Sequence, residues 1–339
     1  MKTRIKYYDI AKAVGMYAII FGHHGPGSYL AVCGYHVPLF FFISGFFIST
    51  KKDITIYAKE KMRQLGLPYL VACILYLVVD IIYRFLGPDR IDMIMVIDWL
   101  KSVVYGSGSI ELMNPIHVKP IGAIWFLLAL FWGIIITRIA ISSKYGGILV
   151  VASVAAGLLM KDTIWLPLAI NPGLVSAGYI YAGYLFHKYV YPKYENRTIL
   201  KTNKLLDGVI GIGLWIAYLS LKPFQGYTNV NCNLYENGII VGGGLAIVAT
   251  LAVIMISRGI LQYIPVVNDI LLFVGRNTLL ILCVHFLDLH FIDWNYVLLK
   301  MFLPEKINIY IISAAQLGLY TIIIYVYHLM SNSKRRIIM

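Results

Sequence analysis

Charge is what this chain has least of. Of its 339 residues, 13% are charged and 60% hydrophobic, and the mean hydropathy of +0.76 lies outside the range of soluble domains. The charge that exists is lopsided: 16 acidic residues against 29 basic ones, a net +13. The basic residues are dispersed over loops that alternate with apolar runs. That is the positive-inside pattern of membrane proteins, so no nucleic-acid partner is expected. Cysteine is sparse too. Cys33, Cys73, Cys232 and Cys283 form no CxxC and no metal spacing, so no metal site is expected. Cys33 and Cys232 both fall near expected outer loops, which leaves a disulfide between them open. The first apolar run carries polar residues and lacks a small-residue cleavage site, so it reads as a retained span rather than a signal peptide. No fixed-period repeat is visible, and the two halves do not resemble each other, which argues against an inverted-repeat transporter.

What the chain does have is a succession of apolar runs of about twenty residues, too long and too evenly apolar for outer-membrane strands. They predict an all-α polytopic transmembrane bundle in one domain, 1–339. About ten spans are expected, near 11–29, 36–49, 66–86, 120–140, 147–160, 165–186, 205–221, 238–257, 272–291 and 307–330. With the N-terminus inside, most Lys and Arg fall on inner loops, and ten spans bring both termini to the cytoplasm. Residues 91–105 read as an amphipathic helix on the outer surface. Pro265 and Asp269 interrupt the stretch 258–272, which reads as a loop or a re-entrant piece.

The chemistry concentrates in DIAKAVGMYAIIFGHHGPGSYLAVCGYHVPLFFFISG, residues 9–45. Ionisable groups at bilayer depth are costly and usually used. Lys12 and His23 are eleven residues apart, roughly three helical turns plus 20°, so they share a face about 16 Å apart along the axis. Snorkelling to headgroups is the alternative for Lys12, and a helix–helix hydrogen bond for His23 or His24. His36 starts the second span at a depth comparable with His23, and an imidazole in a partly dry pocket suits a general base. His285 has Asp288 three residues on, placed to orient it; a plain interhelical contact is the competing reading. Lys51, Lys52, Lys59, Lys61, Arg63 and the basic loop 188–204 gather on the inner face, where topology explains most of them and two or three suffice for a nucleotide phosphate. The outer face offers Trp125, Phe126, Tyr227, Asn229, Asn231, Asn233, Tyr235, Glu236 and Asn237. Amides among aromatics suit a sugar, and an interfacial aromatic belt would look the same.

DIAKAVGMYAIIFGHH followed by YHVPLFFFISGFF resembles the opening of the acyltransferase-3 family of integral membrane O-acyltransferases, especially its fucose 4-O-acetylase-like branch. The family's basic residue, ten spacers and histidine fall on Lys12 and His23. HxPLFFFxSG falls on His36 to Gly45, the WFL segment on Ile124 to Phe131, and VGRNTLLILCVHF resembles the penultimate-helix signature, which places Asn277 and His285. In KMRQLGLPY the family's second basic position holds Gln64, with Arg63 beside it.

The resemblance implies acetyl transfer from cytoplasmic acetyl-CoA to a hydroxyl of a cell-surface glycan or lipid-linked sugar, in the bacterial cytoplasmic membrane. It implies that Lys12, Lys61 and Arg63 bind CoA and that His23 is the base or acyl carrier. His36 assists, with Asn277 positioning the acceptor or stabilising the oxyanion. Trp125, Phe126, Glu236, Asn237 and His285 complete the expected substrate-binding set. O-succinyl transfer, a flippase for a lipid-linked sugar, a catalytically dead binding protein, the acceptor's identity and the oligomeric state all stay open.

Overall fold

The computed structural model describes residues 5–87, 92–109, 116–192, 204–300 and 304–337. Its centre is α1, Lys6–Gly22, which is buried on most sides, including Tyr8, Ile10, Ala11, Met16 and Ile20. A helix apolar on most of its faces belongs inside a bundle. Gly25 ends the run by adopting φ 113°, a left-handed value open to glycine, and Pro26 opens α2, Pro26–Val32, at a position where its missing N–H costs nothing. After a turn, α3 runs His36–Gly45. Asp53 caps α4, Ile54–Lys61, by accepting from the Thr55 N–H at 2.8 Å. A π-helical turn, Met62–Gly66, then leads into α5, Leu67–Leu86. The surface helix α6, Met93–Tyr105, follows.

Next come α7 (Trp125–Ala140), α8 (Gly146–Met160) and α9 (Ile170–Leu185). Then α10 (Lys204–Gln225) and α11 (Gly238–Tyr263) pack along each other. Arg258 of α11 joins Asp207 of α10 at 2.7 Å, both side chains buried. Between them lies a small antiparallel hairpin, Thr228–Asn229 against Leu234–Tyr235. The chain closes with α12 (Pro265–Arg276), α13 (Thr278–Phe291), α14 (Trp294–Leu299) and α15 (Glu305–Ile337).

Small residues set the closest crossings. A Cβ on Gly45 would meet the Ile180 carbonyl, and one on Gly183 the Phe42 carbonyl, so α3 and α9 touch backbone to backbone. Around α1 stand α2, α3, α11, α12, α13 and α15.

Among the described residues the chain is all-α apart from the hairpin, and its apolar helices make it a multi-pass membrane protein. Five helices are long and apolar enough to cross a membrane among the described residues, or six if the bent pair α12–α13 counts as one span, against the ten expected. The other expected spans fall on shorter or bent helices: a span takes about 20 residues, while α1, α7, α8 and α9 have 17, 16, 15 and 16, and α12 meets α13 at 77°. The expected interruption near 258–272 is the joint between α11 and α12, and both of its sides are helical. The four cysteines, Cys33 and Cys232 included, are free thiols. Most of the basic loop, 193–203, lies outside the described residues.

Candidate functional site

Because α1 ends at Gly22, its last four carbonyls lack helical partners. The ring of His23, the C-cap residue, serves one of them: its Nδ1 lies 2.7 Å from the Ile19 oxygen. A carbonyl only accepts, so Nδ1 carries the proton and Nε2 keeps its lone pair. His36 repeats the arrangement, its Nδ1 2.8 Å from the oxygen of Val32, the last residue of α2. Both histidines therefore present an unprotonated Nε2, and both line the same cavity of about 70 Å³. Tyr29, Trp125, Phe126, Asn229 and Asn231 share its wall.

Two larger spaces adjoin it. Towards Lys12 lies an apolar cavity of about 220 Å³, which shares Ile19, Phe126 and Leu282 with the histidine cavity. Lys12, Ser44 and Thr278 supply polar groups in a wall otherwise built mainly of Met16, Phe40, Ile43, Phe47, Leu65 and Leu130. Lys12 pairs with Asp9 at 2.8 Å, and Arg276 approaches the other Asp9 oxygen at 3.8 Å. On the far side of His23 is a polar cavity of about 360 Å³, lined by His24, His285, His290, Asp293, Trp294 and Gln316 among others. His290 in turn joins it to a cleft of about 350 Å³ against α5 and α6, which holds Tyr76, Asp80, Trp99, Asp98 and Lys119. There Tyr76 and Trp99 are nearly parallel, and Lys101 and Lys119 hydrogen-bond Asp98, holding its carboxyl below the usual range.

Behind His23 stands a chain of buried polar side chains. His285 Nε2 lies 3.3 Å from His23 Nδ1, and the rings meet edge on at 4.9 Å. His285 Nδ1 lies 3.4 Å from the Tyr320 hydroxyl, and Tyr320 donates to Asp288 Oδ2 at 2.6 Å. Trp294 Nε1 at 2.6 Å and Gln316 Nε2 at 3.0 Å donate to the same oxygen. Gln316 Oε1 accepts from His24 Nε2 at 2.6 Å.

The residues expected from the sequence thus separate. Lys12, His23, His36, Trp125 and Phe126 fall along one line of cavities, and His285 backs it. Lys61, one turn before the cavity residue Leu65, donates to Gln64 at 3.0 Å, while Arg63 is exposed and lines none of these cavities. Glu236 accepts from the Tyr227 N–H at 2.6 Å and Asn237 donates to the Phe224 carbonyl at 3.0 Å, so both brace the base of the hairpin. Asn277 sits in the α12–α13 bend, donating to the Phe273 carbonyl at 2.8 Å and facing His328 at 2.9 Å. Eight residues before His285, it lies about 12 Å below the histidine pair. Tyr320 and Gln316 belong to a helix that carried no motif, and the one available signal was their i, i+4 spacing on one face of α15. Among the described residues no three His, Cys, Asp or Glu side chains come together as metal ligands.

The small cavity that holds His23 and His36 thus lies between an apolar cavity, reached through Ile19, Phe126 and Leu282, and a polar one that shares His23. The chain belongs to the acyltransferase-3 family: the family model, described as an acyltransferase domain, matches residues 5–330. No curated protein and no solved structure matches it.

Proposed function

We propose that the protein moves an acetyl group from cytoplasmic acetyl-CoA to a hydroxyl of a cell-surface glycan or lipid-linked sugar. The observation that carries this reading is the line of cavities from Lys12 to His23, which changes from apolar to polar at the histidines. Its Lys12 end takes the CoA phosphates, with Lys61 near by. The pantetheine arm lies in the apolar cavity, and the thioester reaches the space between Phe126 and His23. Among the described residues no lysine or arginine lines that small cavity. A succinyl carboxylate would be buried there without a lysine or arginine, a cost that favours acetyl.

His23 Nε2, held unprotonated by the Ile19 carbonyl, takes the proton of the acceptor hydroxyl as the oxygen attacks the thioester carbonyl. The C–S bond breaks, and the CoA sulfur leaves with the proton from Nε2. His36 Nε2 is also an acceptor, so it suits the acceptor's hydroxyls rather than an oxyanion. The polar cavity and the cleft beyond His290 take the sugar, with Tyr76 and Trp99 offering ring faces.

The test is purified protein in detergent with radiolabelled acetyl-CoA and a panel of sugars. Label in acetate or on a sugar, lost in His23→Ala, is the expected result. Folded protein that neither binds acetyl-CoA nor releases label overturns the reading.

A further inference from the structure

Asp288 is 8% exposed, and among the described residues no lysine or arginine pairs with it. A buried carboxylate without a cation is costly unless hydrogen bonds satisfy it. Three donors converge on its Oδ2, from Tyr320, Trp294 and Gln316. The direction of each bond behind His23 follows from its partners. Tyr320 spends its proton on Asp288, so it accepts from His285 Nδ1–H. His285 Nε2 is then an acceptor, facing the Nδ1–H of His23, which it shares with the Ile19 oxygen. Every bond points from His23 towards the carboxylate. Tyr320 is 1% exposed, and His285 is fully buried.

We propose that Asp288 is a positioning residue for His23. Acting through Tyr320 and His285, it supplies the countercharge for the imidazolium that forms when His23 takes the acceptor's proton. This rests on the acyl-transfer reading above. No proton crosses the relay: the one taken at His23 Nε2 is returned from Nε2 to the CoA sulfur, and Nδ1 keeps its own throughout. The polarised hydrogen bonds carry only the stabilisation of charge, which is worth most where water is excluded. Gln316 and Trp294 fix the carboxylate.

Other titratable groups face His23 from every side: His24 on its own turn, Tyr29 on α2, His36 on α3, and His290 with Asp293 across the polar cavity. Of these, His24 competes for the same carboxylate through Gln316. The experiment therefore reads both histidines. Purified wild type, Asp288→Asn and Tyr320→Phe, each checked for a monodisperse peak, are treated with diethyl pyrocarbonate across a pH series. Modification of His23 and His24 is followed by mass spectrometry. The midpoint for His23 is expected to move to lower pH in Asp288→Asn and, by less, in Tyr320→Phe. Acetyl-CoA turnover is expected to fall about tenfold to hundredfold in each, part of what a positioned base supplies, with KM for acetyl-CoA within about twofold. The double variant is expected to cost no more than the worse single one, because both break one path. Should Asp288→Asn fail to fold, Tyr320→Phe alone decides by the same midpoint.

Unchanged His23 midpoints, or a shift confined to His24, overturn the proposal. Because the modification needs no substrate, that outcome is separate from failure of the acyl-transfer reading, which shows as full turnover in His23→Ala.

Discussion

His23 and His36 are the same residue in the same local arrangement, yet their surroundings differ. Each donates Nδ1–H to a carbonyl four residues back, which leaves Nε2 unprotonated, and each lines the same cavity. Behind His36 lie Val32 and the edge of Tyr29, 6.0 Å away between ring centres. Behind His23 lie His285, Tyr320 and a carboxylate. The carbonyl bond sets which nitrogen is free. What stands behind the ring decides whether the charge from taking a proton can be held. On that ground we propose His23 as the base and His36 as a holder of the acceptor.

The sharpest way to break this comparison is to remove each ring in turn. His23→Ala is expected to lose about 10³-fold or more in turnover, within the range a general base contributes. His36→Ala is expected to lose about tenfold to hundredfold, mainly as a raised KM for the acceptor, the size of one lost hydrogen bond to a polar substrate. Equal losses in kcat would erase the distinction. Lys12→Ala should raise the KM for acetyl-CoA about tenfold and leave kcat within about twofold, as one charge-assisted contact to phosphate predicts. A kcat loss matching that of His23→Ala would place Lys12 at the chemistry instead. Smallest is Glu236→Ala. It should cost about 1 kcal/mol of stability through the lost bond to Tyr227, read as a lower melting temperature, with turnover unchanged. A marked rise in acceptor KM would return Glu236 to the sugar site.

How much of this is legible in the sequence depends on how local each relation is. The expected alignment of Lys12 with His23 rests on eleven residues of local helical spacing; α1 carries Lys12 and ends at Gly22, with His23 as its C-cap residue. The two histidines are expected to meet across a short turn; they do line one cavity, but a seven-residue helix, α2, joins them. By contrast, Asp288 reaches His285 through Tyr320, 32 residues on and on another helix, and not along the three-residue spacing that suggests a direct contact. Glu236 and Asn237 looked like sugar ligands by type. Their side chains are taken by backbone groups of the hairpin they close, a local competition that composition does not reveal. Asn277 shares a motif with His285, yet the 77° bend makes it a joint residue. The ten expected spans rest on hydropathy runs, which do not register that Gly25 breaks one run after Gly22 or that α7 to α9 are helices of only 15 or 16 residues.

The most direct measurement is acetyl-CoA binding and acetyl-CoA turnover on one preparation of His23→Ala beside wild type. The expected result is binding within about threefold and turnover lost by about 10³ or more, since the ring meets the reacting atoms and not the CoA phosphates. Turnover within tenfold of wild type would contradict the assignment of His23 as the base.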